Sequence, residues 1–207
     1  MIDTNKKAQI IIGGTLTKTT KMPCGSYSLP AKECKQGSKL RKIAGSVCSD
    51  CYACKGNYKR YAKTIDKAQY RRLASLNHPY WSLAMTRLIE KDKSGLFRWH
   101  DSGDLQNMDH LKNIIKVAKL TPHIKHWLPT KESALIKQLK DKDIPVNLTI
   151  RLSGTMIDGK APNYANTSTV TTDPKLATCK SYENKGQCGD CRKCWDRSIK
   201  NITYLKH

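Results

Sequence analysis

Nine cysteines are the residues of this chain most able to do chemistry, and none lies between Cys54 and Cys179. The C-terminal group is Cys188-Gly189-Asp190-Cys191-Arg192-Lys193-Cys194, a CxxCxxC run, with Cys179 nine residues before it. Two-residue spacers let neighbouring sulfurs turn toward one centre, and thiolates suit both zinc and iron–sulfur clusters. Three cysteines in so close a register favour a cubane [4Fe-4S] cluster, whereas zinc more often uses two separated CxxC pairs. The plainer reading is a metal staple that ties down the tail. An odd number of cysteines excludes complete pairing within one chain. In a reducing compartment such a pattern points to metal rather than disulfides.

The N-terminal group is Cys48-Ser49-Asp50-Cys51-Tyr52-Ala53-Cys54, with Cys24 and Cys34 upstream. Two groupings are open. Cys24, Cys34, Cys48 and Cys51 form a closed tetrad that leaves Cys54 free, or Cys48, Cys51 and Cys54 form a triad with one iron open to a ligand. The first is structural or electron-transferring. The second is catalytic, because an open coordination position is what a substrate needs.

A second set of reactive side chains is independent of cysteine. His100-Asp101-Ser102-Gly103-Asp104 follows an apolar strand, Thr130-Lys131-Glu132 follows the next, and Arg151 lies just inside the end of a third. In parallel α/β folds, function gathers at such carboxyl ends. His100, Asp101, Ser102 and Asp104 are therefore candidates to act on a substrate. Gly103, Asp104, Thr130, Lys131 and Arg151 are candidates to hold a cofactor. The plainer reading makes Asp104 a helix cap and Asp101 and Ser102 turn residues.

The elements that must position these groups are legible in the apolar pattern. Residues 8–16 read as a short strand stopping at glycine, and residues 17–57 as an irregular loop organised by metal. Helices are expected over 59–76 and after Pro79, where Trp81, Ala84, Met85, Leu88 and Ile89 form one stripe. Leu96–Trp99, His123–Leu128 and Pro145–Leu152 read as strands, the last alternating at Val146, Leu148, Ile150 and Leu152. Met108–Leu120 and Lys131–Lys140 read as the helices between them, and a further strand is expected near Ser168–Thr171. Strand–helix alternation with short links predicts an α/β fold with parallel strands. The expected form is a partial parallel (β/α) barrel or a small open parallel sheet, with cysteine-rich metal-binding loops at both ends. The expected division is a core over residues 1–178, including a cysteine loop at 22–57, and a metal-binding tail over 179–207.

Charge and composition bound the partners. Lysine plus arginine is 38 against 17 for aspartate plus glutamate, a net +21 that favours nucleic acid. The run from Tyr52 to Tyr61 interleaves aromatic and basic residues, which suits base stacking with phosphate contact. An amphipathic helix with inward tyrosines is the plainer reading. The chain has no apolar run long enough to span a membrane, and Ile10–Ile12 is too short for a signal-peptide core, so a cytoplasmic location is expected.

Four stretches together carry a family resemblance. They are Met22–Ala31 with Met22-Pro23-Cys24-Gly25, Cys48–Gly56 with its CxxCxxC, Arg98-Trp99-His100-Asp101-Ser102-Gly103-Asp104-Leu105, and Cys188–Trp195. In this combination the chain resembles the phage gene product 88 family from about residue 22 to 204. The resemblance implies a viral or mobile-element origin, hence the cytoplasm of a host cell, and little about the reaction. Residues 48–152 are more loosely similar to radical S-adenosylmethionine enzymes. That likeness implies Cys48, Cys51 and Cys54 as cluster ligands and Ser102-Gly103-Asp104 as the acidic motif that holds S-adenosylmethionine. It also implies that the C-terminal cysteines hold an auxiliary cluster. Two departures stand against it: CxxCxxC replaces CxxxCxxC, and three clear strands replace about six. The expected function is an iron–sulfur enzyme of this type acting on nucleic acid or a nucleotide. The alternative is a non-catalytic nucleic-acid binder stapled by zinc or iron–sulfur centres.

Overall fold

Among the described residues, seven strands form one sheet in the order in which they occur in the chain, and the sheet does not close on itself. The computed structural model describes residues 2–206, so Met1 and His207, the end residues of the expected core and tail, lie outside the described residues. The chain begins with helix α1 (Asn5–Ile11) and strands β1 (Thr17–Lys18) and β2 (Gly25–Tyr27). Helices α2 (Lys35–Leu40), α3 (Gly56–Arg60), α4 (Ala62–Ser75) and α5 (Trp81–Ile89) follow. Then come β3 (Leu96–Trp99), α6 (Met108–Leu120), β4 (Lys125–Thr130), α7 (Ser133–Ile136), β5 (Leu148–Ile157), β6 (Thr167–Thr171) and β7 (Asn201–Leu205). The β1–β2 pair is antiparallel and every other neighbouring pair is parallel. The expected α/β class is what the chain forms, with an open sheet that is mostly parallel.

The best-patterned elements fall where expected. Helix α6 starts at Asn107, whose side chain accepts from His110 N at 2.8 Å, and buries Leu111, Ile114, Ile115 and Ala118. Strand β3 keeps its expected bounds. Other elements differ. The expected first strand is helix α1, because Thr4 accepts from Lys7 N and because Ala8, Ile11 and Ile12 line one helical face. Ile10, the residue that suggested a strand, is exposed. The expected helix over 131–140 shrinks to α7, since Glu132 is drawn away to accept from Gln36 N at 2.9 Å. Strand β5 begins at Leu148, leaves Val146 exposed and runs on to Ile157. The basic C-terminal end is strand β7, paired along the length of β6 in the same sheet as the core. Strand β2 was hidden in what reads as loop.

Strand alternation gives the sheet two unlike faces. On one, Phe97, Trp99, Leu128, Leu148 and Ile150 join the buried core formed with α1, α5 and α6. On the other, the register sets Ser26 beside Arg98, Arg98 beside Trp127 and Trp127 beside Thr149. That second face is covered by the β6–β7 crossover, which carries the second cysteine group. Trp195 anchors it, donating from Nε1 to Phe97 O at 2.9 Å and accepting at its carbonyl from Thr149 Oγ1 at 2.9 Å.

The helical face carries a pH sensitivity. Burial pushes the imidazoles of His110 and His126 down to about 3, from an ordinary value of 6.5. Below pH 6.5 the unfolded chain therefore takes up protons that the folded chain refuses. Stability is complete above pH 6.5 and falls as pH drops toward 3, by about 1.4 kcal/mol per pH unit for each imidazole. Urea denaturation between pH 7 and 5 checks this. His126→Gln is expected to reduce the slope by about 1.4 kcal/mol per unit, and an unaltered slope counts against it.

Candidate functional site

Around the carboxyl ends of the strands, most of the expected polar residues come together, and the side chains of Asp101, Ser102 and Asp104 are spent on the protein itself. Asp104 Oδ1 accepts from Thr130 Oγ1 at 2.6 Å and Leu105 N at 2.7 Å, and Oδ2 accepts from Lys131 N at 2.8 Å. It ties the end of β3 to the end of β4. Burial raises its pKa to about 6 against the pull of those three donors. It does not cap α6, which Asn107 does. Ser102 Oγ accepts from Gln69 Nε2 at 2.7 Å and donates to Leu29 O at 2.9 Å. Gly103 has φ 78°, and a Cβ there would lie 2.6 Å from Leu29 Cβ and 2.7 Å from Leu29 O. Glycine is required at that contact. Asp101 accepts from Ser26 Oγ at 2.6 Å and Tyr58 OH at 3.1 Å, while its carbonyl accepts from Tyr52 OH. His100, in the left-handed region at φ 55°, is buried with its ring 5.3 Å from that of His110, and neither ring nitrogen has a protein partner. Burial holds it neutral, with His110 and then Arg98 adding to that effect.

Arg151 is elsewhere. It is fully buried on the face opposite the helices and donates to five carbonyls: Cys194, Thr167, Ile199, Lys193 and Asp196, at 2.7–3.3 Å. It clamps the C-terminal cysteine segment instead of lining a cofactor pocket with Thr130 and Lys131.

The thiols fall into two neighbourhoods, Cys34 with Cys48, Cys51 and Cys54, and Cys24 with the C-terminal cysteines. All nine are free. Strand β2 separates the two upstream members, with Cys24 just before its amino end and Cys34 beyond its carboxyl end. Cys34 therefore joins Cys48, Cys51 and Cys54. Gly37 lies between two of the sulfurs, since a Cβ there would be 3.6 Å from Cys34 Sγ and 3.8 Å from Cys48 Sγ. Burial raises the Cys34 thiol most, and the charges of Asp104, Cys51 and Cys48 add to it. Burial likewise raises Cys51, with Cys54 and Cys48 as contributors. The guanidinium of Arg41 opposes the rise at Cys34, Cys48 and Cys51.

Cys24 faces the other way, into a buried cluster with Leu96, Trp127 and Trp195 against which Met22, Cys194 and Tyr204 pack. Burial pushes its thiol up to about 12, Asp92 adds to that, Arg98 opposes it, and Cys188 adds a smaller rise. Cys188 is raised by burial and then by Cys179 and Cys191. Cys194, 3.2 Å from Tyr204 OH, is raised to about 11 by burial, with Cys179 contributing. Cys24 and the C-terminal cysteines thus lie in one neighbourhood.

Among the described residues, no three His, Cys, Asp or Glu side chains converge as a ready-made site for a single ion. A polynuclear cluster carries its ligands on its periphery and accepts wider sulfur spacing. The donor chemistry of both sites, thiols from several segments and no disulfide, fits such a group. Sequence reasoning overlooked Arg41 and Arg98. The signal for Arg98 was a lone charge inside the apolar strand Leu96–Trp99.

Among the described residues, no helix is long and apolar enough to cross a membrane. Neither the curated proteins nor the solved structures compared with the chain include a match. One family model does match, described as Gene product 88, and it spans residues 3–197. That span takes in both cysteine sites and the strand ends between them, so the chain belongs to the Gene product 88 family.

Proposed function

We propose that this protein is an iron–sulfur protein with two thiolate-held clusters, and that nucleic acid is its partner class. The observation that supports the reading is that nine free cysteines gather in two neighbourhoods, each drawn from separated segments. Bound clusters would supply one-electron chemistry. Cys34, Cys48, Cys51 and Cys54 would hold the first, and the C-terminal cysteines, with Cys24 in reserve, the second. The chain's own contribution is to bury the thiols, exclude water and fix the loops through Asp104 and Arg151. The radical S-adenosylmethionine form of this reading asks for an open iron and a free acid. Cys34 beside the triad and three donors on Asp104 favour a closed, electron-carrying centre instead.

The second reading, a zinc-stapled nucleic-acid binder, is favoured by the outer surface of α3 and α4. There Lys59, Arg60, Lys63, Lys67 and Arg71 are exposed with Tyr61 and Tyr70, and the Arg60 guanidinium lies 5.8 Å from the Tyr61 ring centre. Basic groups between exposed rings suit a single strand. Iron, zinc and acid-labile sulfide per chain, measured after anaerobic purification, separate the two. About eight irons and eight sulfides are expected for two cubanes. Zinc without sulfide sinks the first reading and leaves the second.

A further inference from the structure

Lys63, Lys67 and Arg71 stand at successive i, i+4 positions of α4 and are exposed, so they form one basic ridge along the helix. Among the described residues, none of the three enters an ion pair or a side-chain hydrogen bond. Asp66, the only acidic residue of α4, is already held by Lys32 Nζ at 2.7 Å. The ridge starts beside Tyr61, which is 54% exposed. It ends at a groove of about 540 Å³ between α4 and the end of α1.

The groove depends on one close approach. Gly13 has φ 79°, and a Cβ there would lie 2.5 Å from Arg71 O, so glycine is what lets the end of α1 reach the backbone of α4. The walls are chemically mixed. Ile10, 73% exposed, gives an apolar flank. His78 Nδ1 accepts from Tyr80 N at 3.1 Å, which leaves Nε2 as the donor of the neutral ring. The Asn77 amide offers both a donor and an acceptor and makes no side-chain hydrogen bond among the described residues. Arg71 belongs to the ridge and to the groove alike.

A flat group with an apolar face and a donor–acceptor edge, joined to a line of negative charges, complements this surface. An unstacked base on its backbone is such a group, whereas a duplex keeps its base faces inside. We propose that the α1–α4 groove receives an unstacked base of a single-stranded nucleic acid, with the Lys63–Lys67–Arg71 ridge following the phosphates that lead to it. The proposal rests on nucleic acid being the partner class and needs neither proposed metal centre. Helix α6 supplies the internal comparison. Lys112, Lys116 and Lys119 form an equal exposed ridge there, but the groove beside it has the Asp143 carboxylate in its lining.

The test is fluorescence anisotropy of the full chain with labelled oligothymidylate and oligouridylate, against a duplex and an abasic strand of equal length, over a range of salt. Wild type is expected to bind the single strands ahead of the duplex and the abasic strand about tenfold more weakly. Binding of either single strand in this order supports the proposal, and the tighter of the two identifies the strand as DNA or RNA. The triple variant Lys63→Gln, Lys67→Gln, Arg71→Gln is expected to weaken binding about tenfold or more and to lower the salt slope by about 2, at about 0.7 per phosphate contact. The α6 triple Lys112→Gln, Lys116→Gln, Lys119→Gln removes the same charge and is expected to keep the slope of wild type. Asn77→Ala with His78→Ala, and separately Ile10→Ser, are expected to keep the slope and lose the preference over the abasic strand. Equal weakening by the two triples overturns the proposal and reduces binding to net charge, as does an α4 triple that binds like wild type. An abasic strand bound as tightly as oligothymidylate, or a duplex bound more tightly than either single strand, overturns the base slot. Wild type that binds no oligonucleotide removes the nucleic-acid reading itself, and is recognised before any variant is compared.

Discussion

Replacing Cys34 with serine is expected to halve the metal of the purified protein, from about eight irons per chain to about four. The expectation follows from Gly37, which a Cβ would bring within 3.6 Å of Cys34 Sγ and 3.8 Å of Cys48 Sγ. With Cys51 and Cys54 in the same neighbourhood, these sulfurs would supply the four thiolates of the proposed cluster. A cubane deprived of one thiolate exposes an iron to water and oxidant, so loss on aerobic handling is expected to go to completion. Cys54→Ser is expected to behave in the same way. Cys24→Ser is expected to leave the N-terminal signal at full strength, because Cys24 lies at the opposite end of β2. The decisive comparison is iron, sulfide and visible absorption for the three variants. Full metal in Cys34→Ser, with loss of the N-terminal signal in Cys24→Ser, would restore the tetrad of Cys24, Cys34, Cys48 and Cys51.

Arg151→Met is expected to destabilise the fold by about 4 kcal/mol, the range seen when a buried charged partner is removed from its network. Five carbonyls lose their donor together, and water cannot reach a residue that is fully buried. For a chain of this size that corresponds to about 10 °C in melting temperature. The loosened segment holds Cys194, so the proposed C-terminal centre is expected to be lost while the proposed N-terminal one stays. Arg151→Lys is expected to recover only part of the stability, since one ammonium cannot span five acceptors. Calorimetry with iron analysis reads both effects. A cost below about 1 kcal/mol would show the clamp to be idle.

The sequence carried the middle of the fold well. Met108–Leu120 has a helical stripe, a capping Asn107 and no competing pattern, and it forms as read. Leu96–Trp99 is bounded by Gly95 and by polar residues, and it too forms as read. Failures came where local signals were short or shared. Ile10–Ile12 suits strand and helix alike, and Thr4 with the packing of Ala8 decided for helix. Strand β2 has three residues, Gly25–Tyr27, too few for a period to appear. Asn201–Leu205 is polar enough to read as tail and becomes a strand only because β6 offers it an edge.

The same division holds for the candidate sites. Spacing alone singled out Cys48, Cys51 and Cys54, and likewise Cys188, Cys191 and Cys194, as candidates to act together, because two-residue spacers act within a few bonds. It could not say where Cys24 and Cys34 belong. Ten residues separate them in the chain, yet β2 between them is locked parallel to β3 and points them to opposite ends of the sheet. Nor could it tell that Asp104 would be consumed by Thr130 and Lys131, or that Arg98 would share a face with Cys194 and not with the helices. Sequence by itself determined which residues have the chemistry to bind metal and which segments have a period. Tertiary structure decided which of them meet, because strand register and the crossing of the β6–β7 connection act between residues that no local spacing relates.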